Sequence, residues 1–423
     1  AIDQIEIIRG PGSSIYGSNA MLGVINITTR TNANEVGFGY GSFDRTQGYL
    51  HTSQEIGEAS LNIFGHLTSD NGDDYKVQDT FSSGRITTDD PRTIANLNIG
   101  LNWEDTQINL QHNEFRAENF YEFDLISNNF NERSAQLTSV SVRQSTEWQS
   151  IESHLWLSFR RTELNVDSQF LAPGALALVS APASSDALFA TATFDDYEET
   201  RIQWHNDWYI NQQSNAQFGI EIRHINAPET IAKNNFDLGD VTQGNSPIRY
   251  YGSLLATTPV QDASRRDIVG LYGQYQHYLF DSTHMTLGLR YDDFSNIDSN
   301  LSPRLGLVHE LNMQHTIKLL YGEAFRAPAE NELYLLNNPI VLGNPDLKPE
   351  RVKSWDLIWM AHWSDVVLSL GYFENHFKDA IIQSSAGGSS VQYQNTDQDP
   401  SKGMEAELTY EFNPHFMLRV NYT

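Results

Sequence analysis

Cysteine is absent from all 423 residues. That excludes a disulfide-stapled scaffold, a thiol nucleophile and a cysteine-ligated metal centre. Basic residues are scarce, with 27 Lys and Arg against 54 Asp and Glu, for a formal charge of -27. Nucleic acid is thereby excluded as a partner, because its phosphates demand a basic face. No apolar run approaches the roughly 18 residues of a membrane-crossing helix. No amphipathic helical pattern lasts beyond about two turns. Yet apolar residues make up 39% and aromatics 11%, too many for a disordered polyacid. A membrane β-barrel survives every one of these exclusions, since its lipid-facing and lumen-facing residues alternate and average out.

What the chain does have is period two. Leu97, Ile99, Leu101 and Trp103 alternate with asparagine and glycine, and Met285, Leu287, Leu289 and Tyr291 alternate with Thr286, Gly288 and Arg290. Met404, Ala406, Leu408, Tyr410 and Phe412 do the same near the end. Each run reads as a strand with one apolar and one polar face. About 17 such strands follow residue 34, many longer than the soluble mode of about 5–6 residues. Among them are spans 147–162, 197–210, 366–382 and 391–411. Their connections alternate short and long. Tight links such as Glu104-Asp105 and Trp363–Asp365 are interleaved with polar segments 69–93, 117–131, 163–196, 227–265 and 324–352. Tight turns on one rim and long loops on the other mark a transmembrane antiparallel barrel. Complete bacterial barrels have even strand numbers, and plugged transporters have about 22 strands. The expectation is an all-β chain holding about 17 of about 22 barrel strands, cut at both ends.

Residues 1–33 differ from the rest. Ile2 to Ile8 reads as a strand, Arg9-Gly10-Pro11-Gly12 as a turn, Ser13 to Ala20 as a small-residue segment, and Gly23 to Arg30 as a second strand. Such a piece is too short to fold alone.

That segment resembles the end of the plug domain of TonB-dependent outer-membrane receptors, through Ile5-Glu6-Ile7-Ile8-Arg9-Gly10-Pro11, Tyr16-Gly17-Ser18-Asn19-Ala20 and Gly23-Val24-Ile25-Asn26-Ile27. Phe325-Arg326-Ala327-Pro328 and Asn344-Pro345-Asp346-Leu347-Lys348-Pro349-Glu350 resemble two barrel motifs of the same family, and Lys402-Gly403-Met404-Glu405 is a weaker match. The resemblance implies a plug end at 1–33 and a barrel over 34–423. It further implies TonB-dependent active uptake of a large scarce ligand, a ferric siderophore or a cobalamin-like corrinoid, across the outer membrane of a Gram-negative bacterium. The implied partners are the TonB complex, contacted through an element N-terminal to this chain, and lipid and lipopolysaccharide around a monomeric barrel. A passive pore or adhesion barrel is the alternative, although a porin would lack the Arg9-Gly10-Pro11 segment. A haem receptor is a third reading, weakened because Ala329 to Gly343 holds no histidine.

Particular residues carry the site expectations. Gly10, Pro11, Gly12 and Gly17 set turn geometry. Arg9 is expected to pair with Glu323 or Asp356 on the wall, the plug–wall charge pair that the resemblance implies. Tyr16, Tyr121, Phe123, Tyr250, Tyr251, Tyr334 and Tyr393 could form an aromatic platform for a large rigid ligand. Other aromatics, Trp103, Trp148, Trp204, Trp208, Trp355, Trp359 and Trp363, suit the interfacial girdles. Asp70, Asp73, Asp74 and Asp79 share one loop and could hold a structural Ca²⁺, which takes about six to eight oxygens; a solvated acidic loop is the plainer reading. No tightly bound cofactor is expected. The chain carries no complete nucleophile elbow, dinucleotide fingerprint or paired-histidine zinc motif, so an enzyme is not expected.

Overall fold

The computed structural model describes residues 2–31, 33–78, 84–119, 127–128, 130–175, 177–338, 341–385 and 391–423. The side chains of Arg9, Ser13, Ser14, Asp195, Asp196, Thr242 and Thr257 lie outside that description.

Almost every element is a strand, joined antiparallel to its neighbour in the order of a barrel. Of the 20 strands in that ring, three belong to an outer loop: Ser180–Ala181, Thr230–Phe236 and Ile248–Gln261. The remaining 17 form the wall, from Glu35–Tyr40 to Phe416–Tyr422. Ser214–Ala227 pairs with Ser264–Phe280 without a break, and the register shifts of other wall pairs fall mostly near the short turns, as at Tyr209/Asn211 and Glu310/Asn312. At the seam, no residue-by-residue register joins the first wall strand to the last, and Phe416–Tyr422 is exposed along its whole length.

Side-chain alternation sets which face looks where. On Ser264–Phe280, Val269, Leu271 and Tyr275 are exposed, whereas Arg266, Ile268, Tyr272 and Gln274 are buried. On Thr283–Phe294, Leu287, Leu289 and Tyr291 are exposed and Arg290, Asp292 and Phe294 are buried. An apolar column facing out and a charged column facing in is the reverse of a water-soluble sheet, and it is what a lipid-facing wall requires. Trp103, Trp148, Trp208 and Trp363 lie beside the short turns and are exposed, at the depth where an interfacial aromatic belt would sit.

Strand boundaries differ from the sequence expectation at the long-loop end. The polar segment 163–196 is not a loop throughout, because strands Ile151–Leu171 and Leu188–Asn211 run on into it and pair with each other. Segment 227–265 folds as a hairpin, Thr230–Phe236 with Ile248–Gln261, around helix α2 (Leu238–Gln243). The span 391–411 splits into Val391–Thr396, paired in an outer three-stranded sheet, and the wall strand Ser401–Asn413. Pro400, which has no N–H to give a ladder, lies between them. Likewise 366–382 divides at Asp379, whose φ is 55°. Strands that leave the membrane lose the apolar column that marked them, so hydropathy alone misplaces their ends. Among the described residues, no helix is long and apolar enough to cross a membrane.

The first residues form a separate antiparallel hairpin, Ile2–Arg9 with Gly23–Thr29, closed by helix α1 (Ser13–Tyr16). Helix α1 rests against four consecutive wall strands, between Ser264–Phe280 and His315–Arg326.

Candidate functional site

The hairpin is seated on the wall by its turn. The Asn19 N–H donates to the Phe325 carbonyl at 2.9 Å, and Arg290 Nη1 donates to the Ile15 carbonyl at 3.3 Å. Gly17 has φ +76°, and a β-carbon there would lie 3.0 Å from the Arg290 guanidinium. Gly322 leaves room for Pro11, whose ring would stand 2.9 Å from any added β-carbon. Both glycines are therefore required by close approach, the first by backbone conformation as well.

Beneath that seat lies a buried charge network. Arg290 is 1% exposed and grips Asp292 with Nε and Nη2, at 2.9 and 2.7 Å. Its Nη2 is 3.7 Å from Glu221, which also accepts from Arg201 at 2.6 Å. Glu199 takes Arg160 at 2.8 Å and Arg223 at 3.0 Å. Charges this deep are tolerated only when paired and hydrogen-bonded, and removing one partner strands the other.

Above the seat, toward the long loops, opens a cavity of ≈ 580 Å³. Ser18 and Asn19 border it from the hairpin, and Pro328 to Asn331 from the motif loop. Its polar lining includes Arg223, Arg266, Arg326 and Glu330; its apolar lining includes Phe194, Ile225, Ile268 and Phe294. The last three pack with Phe325, which is fully buried, and Phe294 meets Phe325 edge-on at 5.8 Å. Arg266 and Glu330 are both more than nine-tenths buried and 3.1 Å apart. Even so, Arg266 Nη2 and Glu330 Oε1 make no aligned hydrogen bond within the protein.

The motif loop is held as a unit. Arg326 binds Glu332 through both Nη atoms, at 2.8 and 3.1 Å, and Glu350 through Nε at 2.5 Å. Glu332 also accepts the Ala329 N–H, at the start of helix α3 (Glu330–Tyr334). The Asn344 N–H donates to the Glu332 carbonyl, Asn344 Oδ1 accepts the Asp346 N–H, and Leu347 is buried along with Pro328 and Pro349.

Other expected site residues fall elsewhere. The Arg9 side chain lies outside the description, but Gly10 is beside Asp356, whose Oδ2 would be 4.0 Å from a β-carbon there. Glu323 is occupied by Lys353 at 3.0 Å and by the Tyr321 hydroxyl. Asp356 accepts from Ser354 at 3.1 Å. Tyr250 donates to Asp186 at 2.5 Å, which holds its hydroxyl above the usual tyrosine range, and Tyr251 donates to Asp237 at 3.0 Å. Tyr334 accepts from Asn296 at 3.1 Å, and Tyr16 is half exposed. None of Tyr16, Tyr250, Tyr251 and Tyr334 lines the cavity. Tyr121, Phe123 and Asp79 lie outside the described residues. Asp70 accepts the Gly72 N–H, Asp73 that of Asp74, and Asp90 that of Asp73. Sequence reasoning missed Tyr197, Arg223, Arg266 and Glu330; the first three carry one signal, inward parity on their strands, and Glu330, on helix α3, carries none.

Residues 23–423 match the family model described as TonB dependent receptor-like, beta-barrel. The chain belongs to the TonB-dependent receptor family. It is 26% identical to the Probable TonB-dependent siderophore receptor PirA of Acinetobacter baumannii, over 90% of this chain and 54% of that one. It is 23% identical to the Vitamin B12 transporter BtuB of Vibrio vulnificus, over 97% of this chain and 60% of the other. The chain thus spans little more than half the length of these relatives. The crystal structure of the siderophore receptor PirA from Acinetobacter baumannii superposes with a TM-score of 0.68 at 20% identity, covering 97% of this chain and 65% of that structure. The family match begins at Gly23, within the hairpin of this receptor-family chain, and takes in the whole wall.

Proposed function

We propose that this chain is the central part of an outer-membrane receptor that binds a ferric siderophore at the plug–wall cavity and admits it by TonB-driven displacement of the plug. The observation that carries the reading is the cavity itself, bordered by plug residues Ser18 and Asn19 and by three arginines against one carboxylate. In a chain of formal charge -27, that lining runs against the average and suits an anionic chelate. Carboxylates behind the arginines keep the field short-ranged, so recognition rests on donated hydrogen bonds and on the apolar wall. The apolar lining also supports a corrinoid as the second reading, alongside the similarity to a Vitamin B12 transporter. Energy coupling requires the TonB contact element, which the family resemblance places N-terminal to this chain.

The test is equilibrium binding of ferric siderophores of several chelating classes, cyanocobalamin and haem to the full-length protein in detergent, read by tryptophan quenching. Submicromolar binding of a ferric siderophore, weakened at least tenfold by Arg266→Gln, is expected. Tight binding of haem alone, or free passage of small sugars in liposome swelling, would overturn the proposal.

A further inference from the structure

The short-turn end of the wall holds a second cluster that the ligand cavity does not use. Glu152 and His154 face the interior from Ile151–Leu171, and Asp207 faces it from Leu188–Asn211. The register sets Glu152 opposite Asp207 and His154 opposite His205. One ligand atom each from Glu152, His154 and Asp207 lies within 4.8 Å of the other two. His154 Nε2 is 3.9 Å from Asp207 Oδ2. That is too long for a hydrogen bond, but near the separation of two atoms bound to one ion at about 2.0–2.2 Å each.

Each of the three is oriented by a group outside the trio. Ser145 Oγ is 2.9 Å from His154 Nδ1. Gln217 Nε2 donates to Asp207 Oδ1 at 2.7 Å, and the Tyr209 hydroxyl donates to Glu152 Oε2 at 3.3 Å. His205 is engaged at both nitrogens, with the Tyr272 hydroxyl at 2.8 Å and Asp207 Oδ2 at 3.1 Å. His154 differs: Nδ1 meets Ser145, and in the tautomer with the proton on Nδ1 its Nε2, 3.9 Å from Asp207 Oδ2, is left to bind an ion. Outer partners that fix the tautomer of an imidazole and the orientation of carboxylates are the usual support of metal ligands.

We propose that Glu152, His154 and Asp207 bind one divalent first-row transition ion on the inner wall, near the rim of short turns. One imidazole nitrogen and two carboxylate oxygens suit a borderline ion such as Zn²⁺, with a water completing the shell. The ion would offset two neighbouring carboxylates and cross-link adjacent strands at the end of the barrel away from the ligand cavity.

The full-length protein in detergent, stripped with chelator, is titrated with Zn²⁺ and with Co²⁺ as a spectroscopic probe. One equivalent should bind, with Co²⁺ ligand-field bands that Zn²⁺ abolishes. Asp207→Asn and Glu152→Gln keep side-chain shape, and heat-modifiable gel migration shows that they fold; each should lower affinity at least tenfold, as should His154→Ala. Ser145→Ala should lower it by about tenfold through loss of the outer partner, whereas His66→Ala should leave it unchanged. Absence of a stoichiometric ion, or unchanged affinity in folded Asp207→Asn and His154→Ala, would overturn the assignment.

Discussion

Two parts of the molecule are buried equally well and held by different means. The hairpin seat is a charged interior: Arg290, Asp292 and Glu221 sit at the wall under helix α1, nearly inaccessible and multiply paired. The outer-loop sheet has an apolar core, in which Leu188, Ala232, Phe236, Leu238 and Val260 pack together with Phe170, Tyr250 and Ile248 around them. An apolar core gains free energy simply by leaving water. A buried ion network gains little net stability, and what it contributes is strict dependence on every partner. The seat therefore specifies one docking geometry for the N-terminal hairpin, whereas the loop sheet is held by its own apolar core.

The largest effect that would break this contrast is at Arg290. Arg290→Met should cost about 3–5 kcal/mol, because it leaves Asp292 buried without its cation, whereas Glu221 keeps Arg201. The fall should appear in the unfolding midpoint of the full-length protein in detergent. Arg419→Met, on an exposed strand, should stay within about 0.5 kcal/mol. A second large effect is expected at Phe236, which is 1% exposed. Phe236→Ala should cost about 3–5 kcal/mol of local stability. Here the readout is different: rapid proteolysis of the 227–265 loop with the barrel midpoint held. If the barrel midpoint falls as well, the loop sheet and the wall are one cooperative unit and the contrast fails.

Much of the wall was legible in the sequence, since the period-two columns count out to the 17 strands observed. They are legible because lipid imposes an apolar column on every crossing strand. Above the membrane that constraint lapses, which is why Ile151–Leu171 and Leu188–Asn211 were read as too short. The motif loop was legible as residues but not as contacts: Arg326 and Glu350 were marked, whereas the bidentate partner Glu332 was not. The cavity was the least legible, because Arg223, Arg266 and Glu330 come from two wall strands and the motif-loop helix, which only the tertiary fold brings together. Aromatic loop residues drew attention for their chemistry, and the structure spends Tyr250 and Tyr251 on tying loop strands to Asp186 and Asp237.

A moderate effect is expected where the plug meets the seat. Gly17→Ala forces an L side chain into left-handed backbone, at about 1–2 kcal/mol. Its methyl group also presses on the Arg290 guanidinium, which cannot retreat without loosening Asp292. The cost should be smaller than at Arg290 itself, and the Arg290→Met background should relieve the steric part of it. A double-mutant cycle on the unfolding midpoint measures that coupling, and additive costs would mean that Gly17 does not read the network.

The smallest effect separates the two regions by function. Tyr250→Phe removes one hydrogen bond at a partly buried outer position, for about 0.5–1 kcal/mol. Because Tyr250 does not line the cavity, ferric-siderophore affinity should change by less than twofold, whereas Arg266→Gln at the cavity wall should lower it at least tenfold. Loss of affinity in Tyr250→Phe comparable to that in Arg266→Gln would move the ligand from the cavity to the outer aromatic loops, and the charged interior would then serve only to seat the plug.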